Sequence, residues 1–222
     1  MGTVLVVAPH PDDEILGVGG SLLRHLAEGD AVHIVICTRG EMSRFGAEQV
    51  TRVQTESRRV HEFLAVTGSH FLDLPAARLD DIPGTDINAA LDGVFQTVKP
   101  DTVYIPHAGD VHRDHQLIFQ AAMVCSRPAG DHRPARILAY ETASETNWYA
   151  APITPAFIPN VFVNITPFID RKLAACAMYE SQIQPAPHQR SIEALRSLSI
   201  TRGHAMGFKH AEAFVLVREL VT

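Results

Sequence analysis

The sequence predicts an α/β fold, a three-layer sandwich in which helices cover both faces of a mostly parallel sheet. The first reason is the order of segments, because apolar strand candidates alternate along the chain with amphipathic segments of helical period. The second is that strand candidates such as Thr3–Ala8 are apolar on both faces, as strands of a buried parallel sheet are. The third is that two polar clusters each directly follow an apolar segment, and binding sites in open α/β sheets lie beyond the carboxyl ends of strands.

Length and charge narrow the class of protein. The chain has 222 residues, and a single domain is expected to span residues 1–222. A formal charge of −6 provides no global positive field for nucleic acid or anionic membranes. No apolar run approaches the roughly 18 residues of a membrane helix, and Val4–Ala8 is too short for a signal peptide. These features predict a cytoplasmic protein with no nucleic-acid partner and no membrane span.

After the first strand, the next elements are a helix, a strand and a second helix. Leu16–Ala27 has a helical pattern that stops near Gly29, and Ala31–Cys37 (AVHIVIC) is the second strand. A polar, glycine-bearing loop at Thr38–Gly46 follows that strand, and residues 47–66 form a long amphipathic helix. The loop therefore lies at the carboxyl end of a strand, as the first polar cluster does.

The glycines of the first helix allow a second interpretation. Gly17, Gly19 and Gly20 could belong to a dinucleotide-binding turn, but the G-x-G-x-x-G spacing is absent. In addition, a histidine and two acids stand where a pyrophosphate would bind. We therefore interpret these glycines as positions where the helix packs closely on the sheet.

The middle of the chain continues the alternation. A short strand is predicted at Ser69–Leu72 and a helix at Asp86–Val98. Asp101–Pro106 (DTVYIP) is a strand that leads into the second polar cluster, and a helix runs from Asp114 toward Cys125. This second cluster thus repeats the strand-to-helix setting of the first.

The last third is less regular. Arg136–Tyr140 is a predicted strand, and residues 141–167 contain four prolines and are predicted to be irregular, either a binding loop or a lid. Helical patterns return at about 168–181 and 190–202, and Ala213–Arg218 (AFVLVR) is a final strand.

The two polar clusters contain the ligand types of a catalytic zinc. His10 and Asp13 lie three residues apart on a predicted strand-to-helix turn, so both can face one ion. Catalytic zinc takes three protein ligands and leaves one position open for water, and we choose His115 of the second cluster as the third. This choice requires the strand Asp101–Pro106 to lie near the first strand of the sheet.

Three other residues of the clusters are predicted to be catalytic. Asp12, next to the ligand Asp13, could take a proton from a metal-bound water. His112 could donate to the oxyanion or the leaving amine, and Asp114 could hold it protonated because a nearby carboxylate raises the pKa of a histidine. Together they predict a metal-assisted hydrolase of an amide or ester. Each cluster alone is ambiguous, since paired histidines occur by chance and an Asp pair can cap a helix.

Both clusters also match known motifs. Ala8–Glu14 (APHPDDE) and Asp110–His115 (DVHRDH) resemble the HPDDE and DxHxDH motifs of the PIG-L/LmbE-like family of zinc-dependent N-deacetylases. Weaker matches to this family extend over nearly the whole chain: Thr38–Glu41 (TRGE), Arg52 with Glu56, Tyr179–Gln182 (YESQ), Arg202–Gly203 and Ala211–Phe214 (AEAF). The resemblance implies an LmbE-like, Rossmann-like fold.

The resemblance also implies an activity, the removal of acetyl from an N-acetylated amino sugar. It implies the same three ligands for Zn²⁺, although Fe²⁺ or another divalent ion would accept these donors too. It further implies Asp12 as general base and His112, paired with Asp114, as the acid or oxyanion stabiliser.

Residues that bind the substrate are predicted at three positions. Arg52 would reach a sugar hydroxyl or phosphate, with a salt bridge to Glu56 as the alternative. His188 and Arg190 could bind a sugar or phosphate, and a homo-oligomer in which His188 is shared between subunits is a further expectation. The alternative interpretation of His188 and Arg190 is that they belong to an ordinary polar loop that binds no ligand.

The predicted reaction is therefore deacetylation of a GlcNAc-type sugar that is free, conjugated or nucleotide-linked. Such a sugar would belong to a cell-surface polysaccharide, sugar-nucleotide or glycoconjugate pathway. Two alternatives stay open: an amidase of the same family that cleaves a larger thiol or antibiotic conjugate, and a non-catalytic sugar- or metal-binding protein.

Overall fold

The computed structural model describes residues 1–40, 46–129, 133–148, 150 and 152–221. Within these residues seven strands form one sheet in the order β3-β2-β1-β4-β5-β7-β6. The strands are β1 (Thr3–Ala8), β2 (Ala31–Arg39), β3 (Gly68–Pro75), β4 (Thr102–Pro106), β5 (Arg136–Tyr140), β6 (Val161–Asn164) and β7 (Ala211–Glu219). Only β7 runs antiparallel to its neighbours, β5 and β6. The mostly parallel sheet is confirmed.

Helices cover both faces of the sheet, which gives three layers. The α-helices are α1 (Asp13–Glu28), α2 (Ala47–Leu64), α3 (Gly84–Val98), α4 (Arg113–Cys125), α5 (Ile169–Ala177) and α6 (Ile192–His204). One core cluster joins α1, α2, α5 and α6 to the sheet, and a second joins α3 and α4 to the opposite face. Alternate residues of β1, such as Val6 and Val7, belong to different clusters, because successive side chains of a strand point to opposite faces. Among the described helices none is both long and apolar enough to cross a membrane.

Several boundaries differ from the predictions; β2, for example, continues to Arg39 instead of ending at Cys37. β6 (Val161–Asn164) lies inside residues 141–167, which were predicted to be irregular, and it is a short, half-buried edge strand that pairs only with β7. Four half-buried residues carry too weak a pattern to be recognised among prolines. The helix predicted to reach residue 181 ends at Ala177, and α1 begins at Asp13 rather than Leu16.

The pairing of β1 with β4 brings the two polar clusters together. The strands are parallel neighbours, with Val4 opposite Thr102 and Val6 opposite Tyr104. Parallel strands end at the same edge of a sheet, so the turn after Ala8 and the loop after Pro106 meet there. The predicted proximity of these strands is confirmed.

Glycines of α1 contact the sheet layer as the sequence suggested. A Cβ on Gly17 would overlap the ring of Tyr140, and one on Gly20 would lie 2.7 Å from Ile165. Both neighbours are fully buried, so neither has room to move away.

Gly17→Ala should therefore destabilise the fold by about 1–3 kcal/mol through overpacking. Urea unfolding of the two proteins measures the difference. Gly93→Ala is the matched control, because Gly93 is an exposed position of α3 with open space around its Cα. That variant should instead gain about 0.5–1 kcal/mol from helix propensity. Equal stability of Gly17→Ala and the native protein would contradict the packing argument.

Candidate active site

The turn between β1 and α1 holds the first cluster in an unusual backbone conformation. Asp12 precedes the helix with φ 107° and ψ −29°, a left-handed region that costs a non-glycine residue about 1–3 kcal/mol. An aspartate in this position commonly caps the helix, yet the Asp12 side chain makes no capping hydrogen bond. Its carboxylate is buried and lines a cleft instead. Strain without a capping role indicates a functional constraint on this residue.

Three donor atoms from the two clusters converge beside Asp12. His10 Nδ1 lies 3.4 Å from Asp13 Oδ2, His115 Nε2 lies 3.2 Å from the same oxygen, and the two imidazole nitrogens are 3.3 Å apart. Tetrahedral zinc with ligands at about 2.0–2.1 Å separates those ligands by about 3.3 Å. The two nitrogens and one oxygen are also the donor types of catalytic zinc. This three-donor cluster of His10, Asp13 and His115 therefore fits a divalent metal.

Both histidines of this cluster are oriented by buried carboxylates. His115 Nδ1 lies 2.8 Å from Asp110 Oδ2, and His10 Nε2 lies 3.0 Å from Asp114 Oδ2. In each case one ring nitrogen is engaged by the carboxylate while the other faces the cluster. Carboxylates hold metal-binding histidines in this way and fix their tautomers.

The position of Asp114 differs from the expectation that it pairs with His112. Its carboxylate faces His10 and also accepts from the backbone N–H groups of Ala77 and Leu79. His112 begins α4 as its capping residue, and its Nδ1 accepts from the backbone N–H of Asp114. The two side chains thus diverge although the residues are close in sequence. Asp114 orients a metal-ligand candidate rather than His112.

His112 is neutral in this arrangement. Because Nδ1 accepts a hydrogen bond, the ring proton resides on Nε2. Burial and the neighbouring His10 lower the pKa of His112 to about 4, opposite to the rise that we expected from Asp114. His112 lines the cleft, so it can offer an N–H donor there.

The buried carboxylates in and beside this cluster favour a bound cation. Burial raises the pKa of Asp13, but His115 and His10 outweigh it, and the net pKa lies well below its usual range. Burial lowers the pKa of His115, but Asp13 and Asp110 raise it to about 10. The buried carboxylates thus draw protons onto the imidazoles, and a divalent ion would supply the same positive charge while displacing those protons.

Asp12 is held on its other side by an arginine. Arg190 Nη1 lies 2.9 Å from Asp12 Oδ2, and the same guanidinium contacts Glu145 and the Ser144 hydroxyl. Burial raises the pKa of Asp12 to about 8, and the charge of Arg190 opposes that rise. The contact with Arg190 fixes the Asp12 side chain beside the three-donor cluster, of which Asp12 is not a member.

A cleft of about 370 Å³ opens onto these groups. Its polar wall contains three glutamine side chains, from α2 and from the segment after α5, together with a carboxylate and two guanidinium groups. The residues that contribute this wall are Gln49, Gln54, Gln182, Glu145, Arg39 and Arg190. Amides of this kind can hydrogen-bond sugar hydroxyls.

The residues predicted to bind substrate have different surroundings. Arg190 lines the cleft, whereas Arg52 and His188 are not among the described residues that line it. Arg52 is half exposed and forms ion pairs with Glu56 at 3.0 Å and Glu180 at 3.3 Å. His188 accepts from the backbone N–H of Arg190. Glu41 of the TRGE motif lies outside the described residues.

Other combinations of ligand atoms are less suitable for a metal. His10, His112 and Asp114 also lie within 4.8 Å of one another, but His10 Nε2 and His112 Nδ1 are engaged by hydrogen bonds there. In a third group, at the end of α1, both ring nitrogens of His25 are bonded, one to Asp30 and one to Tyr104.

Two residues of this site, Asp110 and Glu145, were not predicted from the sequence to have a function. Asp110 is fully buried and accepts from both His115 and Thr146, and its place in the DVHRDH motif was the available signal. Glu145 lies in the irregular segment after β5, where no pattern distinguished it. Its proximity to Arg190 arises only from folding.

Asp110→Asn should lower metal affinity by about 10- to 100-fold, because a charged acceptor that orients His115 is lost. Titration with a competing chelator measures the change. Asp30→Asn is the matched control, since Asp30 contacts His25 Nδ1 at the same 2.8 Å distance, away from the cluster. The proposed orienting role would be contradicted if both variants bound metal as tightly as the native protein.

Paired imidazoles and a carboxylate, with a separate carboxylate at their side, form a candidate site for a divalent metal and a general base. The PIG-L family model, described as GlcNAc-PI de-N-acetylase, matches residues 5–126, more than half of the chain. The chain therefore belongs to the PIG-L family, and it is an N-deacetylase by class.

Relatives extend the similarity over most of the chain. The Escherichia coli K12 protein described as the uncharacterized deacetylase YaiS is 29% identical over 184 residues, 80% of this chain and 90% of the relative. The diacetylchitobiose deacetylase of Thermococcus kodakarensis is 27% identical over 239 residues, which cover 96% of this chain and 82% of the relative. The crystal structure of the conserved protein TT1542 from Thermus thermophilus matches with a TM-score of 0.80 at 29% identity. The match covers 100% of this chain and 97% of TT1542. The LmbE-like fold is confirmed.

Proposed function

We propose that the protein removes the acetyl group from a GlcNAc-type amino sugar, with zinc held by His10, Asp13 and His115. The observation that carries this proposal is the position of Asp12, a buried carboxylate that lines the cleft beside the three-donor cluster without belonging to it. A ligand set alone would bind a metal but supply no proton acceptor beside it. A separate carboxylate at its edge is what hydrolysis of an amide requires.

The chemistry is divided between the metal and the chain. Zinc, when bound, supplies Lewis-acid polarisation of the amide carbonyl and acidifies water. Asp12 accepts the proton of the attacking water and returns it to the nitrogen of the leaving amine. His112 directs its Nε2–H toward the developing oxyanion. The products are acetate and the free amino sugar, so that one water is consumed for each amide broken.

The cleft has room and polar groups for a small sugar. Its volume of about 370 Å³ is near the lower end of the range of about 300–1,000 Å³ for small-molecule sites. The three glutamine amides along its wall suit the hydroxyls of a sugar. The relative named diacetylchitobiose deacetylase supports an N-acetylated sugar as the substrate class.

Amine release from a panel of N-acetylhexosamines tests the proposal. The panel contains free, phosphorylated, UDP-linked and glycosidic forms, together with an acylated thiol conjugate. We expect free amine and one equivalent of acetate from at least one sugar. Release from the thiol conjugate alone, or none at all from a metal-loaded protein, would contradict the assignment to amino sugars.

A further inference from the structure

The strained backbone at Asp12 is held by a buried acid two residues along the chain. Glu14 is fully buried, and its Oε2 accepts from the backbone N–H of Asp12 at 3.0 Å. The bond acts on the residue whose φ is 107°. Because this N–H points to a fixed acceptor, the Asp12 peptide cannot rotate without losing a buried hydrogen bond.

Glu14 is itself fixed by a tyrosine from another part of the chain. The Tyr179 hydroxyl donates to Glu14 Oε1 at 2.5 Å, and both side chains are buried. His61 Nε2 lies 3.4 Å from the same oxygen. The two oxygens of Glu14 thus serve different donors, one on the Asp12 backbone and one on Tyr179.

Tyr179 connects this pair to the wall of the cleft. It precedes Ser181 and Gln182, which line the cleft, and Ser181 is bound through its N–H and hydroxyl to Glu56 of α2. The Glu14–Tyr179 contact therefore joins the turn that bears the base to the segment that forms part of the substrate wall.

We propose that Glu14 is a positioning residue, which holds the Asp12 peptide in its left-handed conformation and, through Tyr179, fixes the Asp12 carboxylate relative to the cleft wall. This inference rests on the proposed function for the role of Asp12 as base. A purely structural Glu14 would affect the stability of the fold alone, whereas a positioning residue acts on turnover through Asp12.

Kinetics of Glu14 variants distinguish these roles. Glu14→Ala should lower kcat by about 10- to 100-fold with metal content and KM near native values, because misplacement of a catalytic group by about 1 Å has effects of this size. Glu14→Gln keeps one oxygen for the Asp12 N–H and should recover kcat to within about 3-fold. In an Asp12→Ala background the additional loss from Glu14→Ala should fall below about 3-fold, since residues that act through one another are not additive. Equal losses in both backgrounds would overturn the proposal.

Amide hydrogen exchange at Asp12 provides a readout that does not depend on activity. The Asp12 N–H should exchange on the order of 100-fold faster in Glu14→Ala than in the native protein, and near the native rate in Glu14→Gln. Glu212→Gln is the matched control, because Glu212 is another buried acid that accepts from backbone N–H groups of α1, at Gly20 and Ser21. It should lower stability without changing exchange at Asp12.

Two further outcomes are informative. If Glu14→Ala does not fold, Tyr179→Phe removes the donor that fixes Glu14, and it should show the same faster exchange at Asp12 with a smaller loss of kcat. If the native protein releases no amine from the panel, the proposed function fails, while exchange at Asp12 still tests the positioning role. Unchanged hydrogen exchange at the Asp12 N–H, in whichever of Glu14→Ala and Tyr179→Phe folds, would overturn that role.

Discussion

Replacing Asp12 by alanine should lower kcat by about 10²- to 10⁴-fold while the protein keeps its full metal content. Asp12 is buried beside the three-donor cluster, but none of the cluster's atoms belongs to it. Its removal therefore takes away a proton acceptor and leaves the candidate ligands in place. Steady-state amine release, together with metal analysis of the same sample, measures both quantities.

Asp12→Asn is the companion variant for this experiment. Asparagine tolerates left-handed backbone and keeps the size of the side chain, so the turn should retain its shape. It cannot accept a proton as the carboxylate does, and we expect the same loss of kcat. An Asp12→Ala protein that is as active as the native enzyme would contradict the assignment of the base.

Replacing His115 by alanine should instead remove the metal. His115 Nε2 lies within 3.3 Å of both other candidate donor atoms, and the loss leaves only two ligands from the chain. Metal affinity should fall by more than the roughly 100-fold that follows loss of an orienting partner. Turnover should disappear with the metal, and excess zinc should restore part of it.

His70→Ala is the control for this variant. His70 lies on β3 beside His33, away from the cleft, so its loss should leave metal content and turnover unchanged. Retention of stoichiometric metal by His115→Ala would show that the ligand set is wrong.

The fold was predictable from the sequence because its strands are buried on both faces. Segments such as those that became β1 and β2 are nearly continuous apolar runs, and such runs are typical of central parallel strands. β6 (Val161–Asn164) was missed because all four of its residues are half buried and its pairing with β7 depends on distant residues. Tertiary pairing, rather than local pattern, determines that edge strand.

The metal-ligand candidates were predictable from the ends of the strands, whereas the contacts around them were not. His10, Asp13 and His115 meet because β1 and β4 are parallel neighbours. The Asp114 carboxylate is directed by His10 and by the backbone N–H groups of Ala77 and Leu79, contacts that sequence spacing does not reveal. The approach of Arg190 to Asp12 joins positions 178 residues apart.

Removal and restoration of the metal test the central claim most directly. The native enzyme, assayed on the best sugar of the panel, should lose amine release when a chelator strips it to the metal-free protein. One equivalent of Zn²⁺ per chain should restore the activity, and the His115→Ala protein should need a large excess. Undiminished deacetylation by a protein shown to be metal-free would contradict the account of this site.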